Sequence, residues 1–495
     1  MNTLLKTITT LGSPTVLLVG DFMLDSYIYG DALRISPEAP VQVLKVVRRE
    51  YCPGGAASVA ADITTLGAKC ICLGTVGLDL DGNKLRELLI GMGADISAML
   101  ELSDRPTISK QRVVGLAQHR HRQQLLRIDE ENTDPLTSEQ YQQLYNSFEK
   151  TLPTCDVVCL QDYKKGILEA DFCKRLIQAA KKAGKKVLVD PPLCNDYSRF
   201  AGAYMITPNR KETSQATGFD VLTLEDAARA AAHLKQVLQL DCVAVTLDKE
   251  GAYLRTDTVN EHLPTIPRTV YDVTGAGDMM LAMLAVAVGG GCEERTALQL
   301  ANIAGGIEVE KFGVATVSID EIVNEIISRD HGKTGKVRED ISTLQNELDF
   351  HRKQNKTIVF TNGCFDLIHR GHIEYLRFCK QQGDLVVVGL NSDRSVREIK
   401  GPKRPIHNQH DRAAVLAALE SVDYVIVFDE PDPLRLIQDV RPDFLVKGQD
   451  WADKGVVGRD FVESYGGKVV LAPLVEGKSS TGTIEKIRNT ETNET

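Results

Sequence analysis

Two stretches of this chain combine residue types that can do chemistry on phosphate. The first is Tyr271-Asp272-Val273-Thr274-Gly275-Ala276-Gly277-Asp278, a glycine-rich turn set before an apolar run through Met279, Leu281, Met283, Leu284 and Val288. Glycines at 275 and 277 remove side chains that would block close approach. Main-chain N–H groups and the positive end of a helix dipole can then point at one anion. Asp278 falls in the first turn of that helix. A carboxylate there has the wrong charge for holding phosphate but is the right group for taking a proton from an attacking hydroxyl. The second stretch is Thr361-Asn362-Gly363-Cys364-Phe365-Asp366-Leu367-Ile368-His369-Arg370-Gly371-His372. Two histidines three apart at a helix start can aim donors at one phosphate, beside the free N–H groups of the helix end. The same spacing also occurs in metal sites, but no third ligand is placed nearby. The turn and the pair imply phosphoryl transfer at the first stretch and charge stabilisation on phosphates at the second.

The elements that must position these stretches alternate. Apolar runs at residues 16–19, 157–160, 187–189, 205–207 and 243–246 are separated by helical patterns, which calls for a parallel sheet covered by helices on both faces. Residues 41–47 and 108–114 alternate polar and apolar, as an exposed strand does. A helix is predicted over 319–327, followed by a polar, twice glycine-punctuated stretch at 328–336. The linker is placed at 331–337, between a unit of residues 1–330 and a unit of residues 338–495. Ser342-Thr343-Leu344-Gln345 reads as a capping box for the next helix, ending near Asn355. Strand candidates at 357–360, 385–390, 424–428, 444–446 and 469–471 then give a second, smaller α/β unit.

At 495 residues the chain exceeds the size at which one core stops growing, and its 25% charged and 43% hydrophobic content is that of a globular protein. A formal net charge of −10 argues against nucleic acid as the main partner. The N-terminal residues lack the apolar run of a secretory signal, and no apolar stretch reaches 18 residues, so neither export nor a membrane span is expected. The 11 cysteines lack zinc spacing. Cys70 and Cys72 would lie on one face of a buried strand, and free thiols fit a reducing compartment, the cytoplasm.

The string Asp-x-Thr-Gly-Ala-Gly-Asp resembles the signature of the ribokinase family of sugar kinases. Further landmarks follow in order: Gly20-Asp21, Pro53-Gly54-Gly55-Ala56-Ala57, Thr207-Pro208-Asn209 to Glu212, and Thr246 to Gly251. The resemblance implies a parallel sheet with a small β lid over the sugar. It makes Asp278 the catalytic base and Gly275, Ala276 and Gly277 the cradle for transition-state charge. Asn209, Arg210, Lys211, Glu212, Thr246 and Gly251 fall to ATP; Asp21, Gly54, Gly55 and Ser58 fall to the sugar. Lys110 and Arg112, on a lid strand, are the preferred contacts for a substrate phosphate, ahead of the basic run at His119-Arg120-His121-Arg122. Three positions depart from the pattern: Ser58 stands for asparagine, Asp190-Pro191-Pro192 for Asp-Pro-Lys, and Leu247 for an arginine near the nucleotide.

The second stretch resembles the His-x-Gly-His nucleotidyltransferases, whose histidines stabilise phosphates as pyrophosphate leaves, on a smaller Rossmann-like domain. By that resemblance His369 and His372 are catalytic. Asn362, Gly363, Phe365, Asp366, Gly371, Lys400, Arg412, Lys447, Ser480 and Thr481 would hold the nucleotide. A kinase followed by such a domain is similar, over nearly the whole chain, to the bifunctional heptose-phosphate kinase and adenylyltransferase family of Gram-negative bacteria. That likeness implies sugar phosphates and ATP with Mg²⁺ as ligands, and a homodimer, with no nucleic acid and no membrane partner. The alternatives are another sugar phosphate with CTP, and a ligand-binding regulator on a dead kinase scaffold.

Overall fold

A computed structural model describes residues 2–116, 123–265, 275–311, 315–452 and 455–473. Asp272, Thr274, His119, Arg120, His121, Arg122, Ser480 and Thr481 lie outside them. The chain divides into two compact units, Lys6–Glu325, and Ile326–Thr495 together with Met1–Leu5.

In the first unit an eight-stranded sheet runs, from one edge to the other, through Asn260–Leu263, Ala252–Arg255, Cys242–Thr246, Met205–Ile206, Lys186–Asp190, Val157–Gln161, Thr15–Gly20 and Lys69–Leu73. The six strands from Cys242–Thr246 to Lys69–Leu73 are parallel, and the other two form an antiparallel hairpin at one edge. The strand Val157–Gln161 is buried throughout, as it must be with helices on both faces. Cys70 and Cys72 lie in the edge strand, buried, with their sulfurs 4.0 Å apart. The helix Ala276–Gly289 is apolar on all sides, and Met279, Leu281, Met283 and Leu284 are all buried. Full burial of such side chains contributes about 1.5–3 kcal/mol each, which anchors the helix start against the sheet ends.

The lid is a second sheet of four strands, in the order Gln42–Gly55, Phe22–Ile35, Ile108–Gly115 and Gln123–Glu130. The alternating stretches at 41–47 and 108–114 supply two of these strands. The other two were not legible, because their side chains alternate only weakly. The long strand Phe22–Ile35 begins one residue after Asp21, so the lid is joined directly to the sheet's carboxyl edge.

The second unit is a six-stranded, wholly parallel sheet in the order Val337–Arg338, Tyr424–Phe428, Leu385–Asn391, Ile358–Gly363, Phe444–Gly448 and Lys468–Ala472. Its central strands face two cores in alternation, Ile358 and Phe360 into one and Val359 into the other. The helix expected to end near 327 runs from Ile319 to Thr334, so residues 331–334 are helical. The capping box expected at Ser342 is not formed. Asp340 caps the helix Ile341–Lys353 by accepting from the Thr343 N–H at 2.8 Å, because a carboxylate two residues earlier is the stronger acceptor for the same free N–H groups.

Candidate active sites

The sheet's carboxyl ends gather the first site, as expected for an open α/β sheet. Asp21 follows one strand; Gln161, Asp190 and Thr246 each end another. Asp278 sits in the first turn of its helix, almost fully buried. Its Oδ1 accepts from Tyr163 Oη at 2.8 Å and from Gln161 Nε2 at 2.9 Å. Gln161 Nε2 also donates to Asp190 Oδ2 at 3.0 Å, and Thr207 Oγ1 donates to Asp190 Oδ1 at 3.0 Å. Burial pushes the Asp278 carboxyl up to about 7, against the Tyr163 hydrogen bond and the Lys110 charge, which lower it. A carboxylate poised there is matched to general-base work near neutral pH.

Gly275 caps this helix with φ +100°, and a Cβ on it would lie 2.4 Å from Glu308 Oε1. Among the described residues, a Cβ on Gly277 would meet no atom within 4 Å. Asp278 is not the only carboxylate at the turn: Glu308 lies directly against Gly275. Burial, then the Glu308 and Asp278 charges, raise the buried Asp62 carboxyl well above its usual range. Nothing in the sequence signals Glu308, which arrives from a different helix, Glu294–Glu308.

Of the residues expected to hold the sugar, Asp21 is joined to Asp278 through Tyr163. Asp21 Oδ2 accepts from the Tyr163 and Lys165 main-chain N–H groups at 2.9 and 3.1 Å. Burial raises its pKa. Arg112 pairs with Asp25 at 3.0 Å, and Lys110 Nζ lies 5.7 Å from the Tyr163 ring centroid. Gly54 leaves room for Asp25, whose Cγ a Cβ would approach to 2.9 Å, and Gly55, at φ +55°, clears the Asp21 carbonyl. Ser58 turns back on its own backbone, donating to the Pro53 carbonyl at 3.3 Å.

The predicted ATP residues divide. Asn209 and Glu212 form a capping box for the helix Arg210–Thr217, and Glu212 is among the charges raising Asp190. Asn209 bridges to Thr246 in parallel register. Arg210 holds Asp248, Glu250 and the Val221 carbonyl, Lys211 is exposed, Gly251 takes φ +97°, and Leu247 is in the core.

In the second unit, nine predicted residues line one cavity of about 650 Å³: Asn362, Gly363, Phe365, Asp366, His369, Gly371, His372, Lys400 and Lys447. His369 stands at the N-cap of the helix Arg370–Gln382, and its ring stacks on His372 with centroids 3.9 Å apart. Burial and the neighbouring His369 pull His372 down to about 4, so it is neutral at physiological pH. Lys447 reaches Asn362 Oδ1 at 2.5 Å, and burial lowers its ammonium to about 8. Arg412 does not line the cavity. Its guanidinium donates to the Cys364 and Asn391 carbonyls and pairs with Asp393, bracing two cavity walls from behind. Arg404, paired with Asp366, and Trp451 also line the cavity and carried no motif signal.

Comparison with known proteins agrees with this two-part reading. Residues 13–321 match the pfkB family of carbohydrate kinases, and residues 360–474 match the cytidylyltransferase-like family. The bifunctional protein HldE of Geotalea uraniireducens is 42% identical over 473 residues, covering 95% of both chains. The chain belongs to the bifunctional HldE family. It is thus a bifunctional transferase, a sugar kinase joined to a nucleotidyltransferase. Among solved structures, the tetrameric inhibited form of Escherichia coli phosphofructokinase-2 superposes with a TM-score of 0.53 at 19% identity, over 64% of this chain and 99% of that one. Arabidopsis thaliana ribokinase, complexed with ribose and ATP, gives 0.50 at 20% identity, over 63% and 98%. At that identity the likeness establishes the ribokinase-like fold of the first unit.

Proposed function

We propose that the first unit transfers the γ-phosphoryl group of ATP to O1 of D-glycero-β-D-manno-heptose 7-phosphate. After a separate phosphatase has removed the 7-phosphate, the second unit transfers the adenylyl group of another ATP to heptose 1-phosphate. The products are ADP-heptose, for the lipopolysaccharide core, and pyrophosphate. The observation that carries the reading is the pair of sites in one chain: a buried carboxylate beside a glycine-capped helix start, and a stacked histidine pair in a cavity with Lys447.

In the kinase site Asp278 takes the O1 proton as the new O–P bond forms and ADP departs. The N–H groups of Gly275, Ala276 and Gly277 hold the equatorial oxygens. Asp21 orients the sugar, and Lys110 supplies positive charge. In the transferase site the nucleophile is already an anionic phosphate oxygen, so no base is needed. His369, His372, Lys400 and Lys447 hold negative charge on the α-phosphate and the departing pyrophosphate. Mg²⁺ fits the donor set, since it usually keeps several waters and takes one or two carboxylates with substrate phosphates. Among the described residues no ready-made cluster of three His, Cys, Asp or Glu is present, and Asp190 and Glu212 would be the carboxylates facing it. Bound there, Mg²⁺ would neutralise phosphate charge.

Among the described residues no helix is long and apolar enough to cross a membrane, which supports a cytoplasmic enzyme. Ile35, Val41, Val46, Val47, Leu126 and Ile128 are exposed along the lid, and they support a homodimer formed through it. The test of the substrate assignment is ADP and pyrophosphate release with ATP or CTP against each heptose phosphate. ATP-specific release of ADP with the 7-phosphate, and of pyrophosphate with the 1-phosphate, is expected. CTP-dependent pyrophosphate release would assign a different nucleotide.

A further inference from the structure

Tyr163 belongs to no motif, yet it touches both carboxylates on which the kinase reading depends. Its main-chain N–H donates to Asp21 Oδ2 at 2.9 Å and its hydroxyl donates to Asp278 Oδ1 at 2.8 Å. Gln161 donates to the same Asp278 oxygen at 2.9 Å and continues to Asp190. Among the described residues, none donates to Asp278 Oδ2. Both protein donors therefore occupy one oxygen and leave the other for the sugar hydroxyl.

We propose that Tyr163 is a positioning residue of the kinase reaction, one that locks the proton-accepting carboxylate to the carboxylate that orients the sugar and so aims Asp278 Oδ2 at the attacking hydroxyl. The proposal rests on the reading of Asp278 as the base. In the step it serves, the O1–H proton passes to Asp278 Oδ2, the O1–phosphorus bond forms, and the bond from the γ-phosphorus to the ADP oxygen breaks. Tyr163 and Gln161 keep their protons throughout. Burial raises the Tyr163 hydroxyl well above its ordinary range, so it remains a donor at any working pH. The other charges facing Asp278 are Lys110, which favours its ionised form, and Asp25, which opposes it; Asp62 and Asp190 lie close enough that the Asp278 charge raises their own carboxyls.

The full-length Tyr163→Phe enzyme tests this, because it deletes only the hydroxyl and leaves the main-chain bond to Asp21. A donor to the ionised form lowers a carboxyl pKa, so its loss should move the acid limb of the kinase kcat/KM profile upward by about one pH unit. Turnover at pH 7 should fall roughly fivefold and recover toward higher pH, while the KM for the sugar phosphate stays within about twofold. Replacement of Tyr163 by 3-fluorotyrosine keeps the shape and makes the hydroxyl a stronger donor, so the acid limb should move downward. A wild-type melting transition and retained ATP binding at the kinase site report folding. An unmoved acid limb in both variants, with Asp278→Asn inactive, would overturn the role of Tyr163 and leave the base reading intact. Normal turnover in Asp278→Asn would instead remove the base reading, and this proposal with it.

Discussion

Replacing His372 by alanine separates two accounts of how the histidine pair acts. The ring is half-buried, stacks on His369 at 3.9 Å and is held down to about 4, so between pH 5 and 8 it works as a neutral donor rather than as a cation. Donors aimed at developing charge in a preorganised site are worth about 3–4 kcal/mol, or roughly 10²- to 10³-fold in rate. A neutral donor is about half as strong as a charged one, which places the expected loss near the lower end, roughly 10²-fold. The assay is pyrophosphate release from ATP and heptose 1-phosphate, with the kinase reaction of the same protein as the control. The wild-type rate should show no limb near pH 6.5 from this ring. His369→Ala removes one of the two causes that depress His372, so the pKa of the remaining ring should rise. A wild-type rate climbing steeply as pH falls through 6.5 would refute the neutral-donor argument, and full activity in His372→Ala would remove the ring from the mechanism. The stability sign follows the same depression. With the folded pKa below the unfolded one, His372 contributes stability that is present above about 6.5 and is lost as pH falls toward about 4.

Three further outcomes are expected. Asp278→Asn should keep the Tyr163 and Gln161 hydrogen bonds yet lower kinase turnover by about 10²- to 10⁴-fold with ATP binding retained, as measured by ADP release and titration calorimetry; the wild-type profile should fall below pH 7 as the carboxyl protonates. Gly275→Ala puts a Cβ at φ +100° and 2.4 Å from Glu308 Oε1, so it should cost at least about tenfold in kinase rate, with adenylyl transfer unchanged. Residues 1–330 should act alone as a kinase, and the transferase fragment should tolerate a start at Gly335 better than one at Asp340. The later start removes Arg338 from its buried pair with Glu347 at 3.0 Å, which costs about 3–5 kcal/mol and should appear as a lower melting temperature with lost transferase activity.

The parts of this molecule that were legible are those where local residue type dictates backbone. The turn at Gly275 was readable because only glycine takes that φ easily, and the parallel strands because burial on both faces needs continuous apolar runs. The helix entered at His369 followed from the strand and turn before it. Arginines were less readable. Arg210 and Arg412 sit within motif stretches, but a guanidinium that could grip phosphate can equally hold carbonyls and carboxylates, and only the tertiary fold decides where the fork points. Gln161, Tyr163 and Glu308 were invisible for another reason. They reach Asp278 or its turn from elements more than 25 residues away in sequence, and nothing local to them differs from an ordinary strand end or helix face. Asp340 outcompeted Ser342 as a helix cap because both offered an acceptor to the same N–H groups and the sequence alone did not rank them.

The central claim, that one chain runs two separate phosphate chemistries on heptose, is tested most directly by mass spectrometry of its products. Purified protein supplied with ATP and heptose 7-phosphate should give the 1,7-bisphosphate and ADP. Supplied with ATP and heptose 1-phosphate, it should give ADP-heptose and pyrophosphate. Failure to form either product, from protein that is folded and binds ATP, would contradict the account.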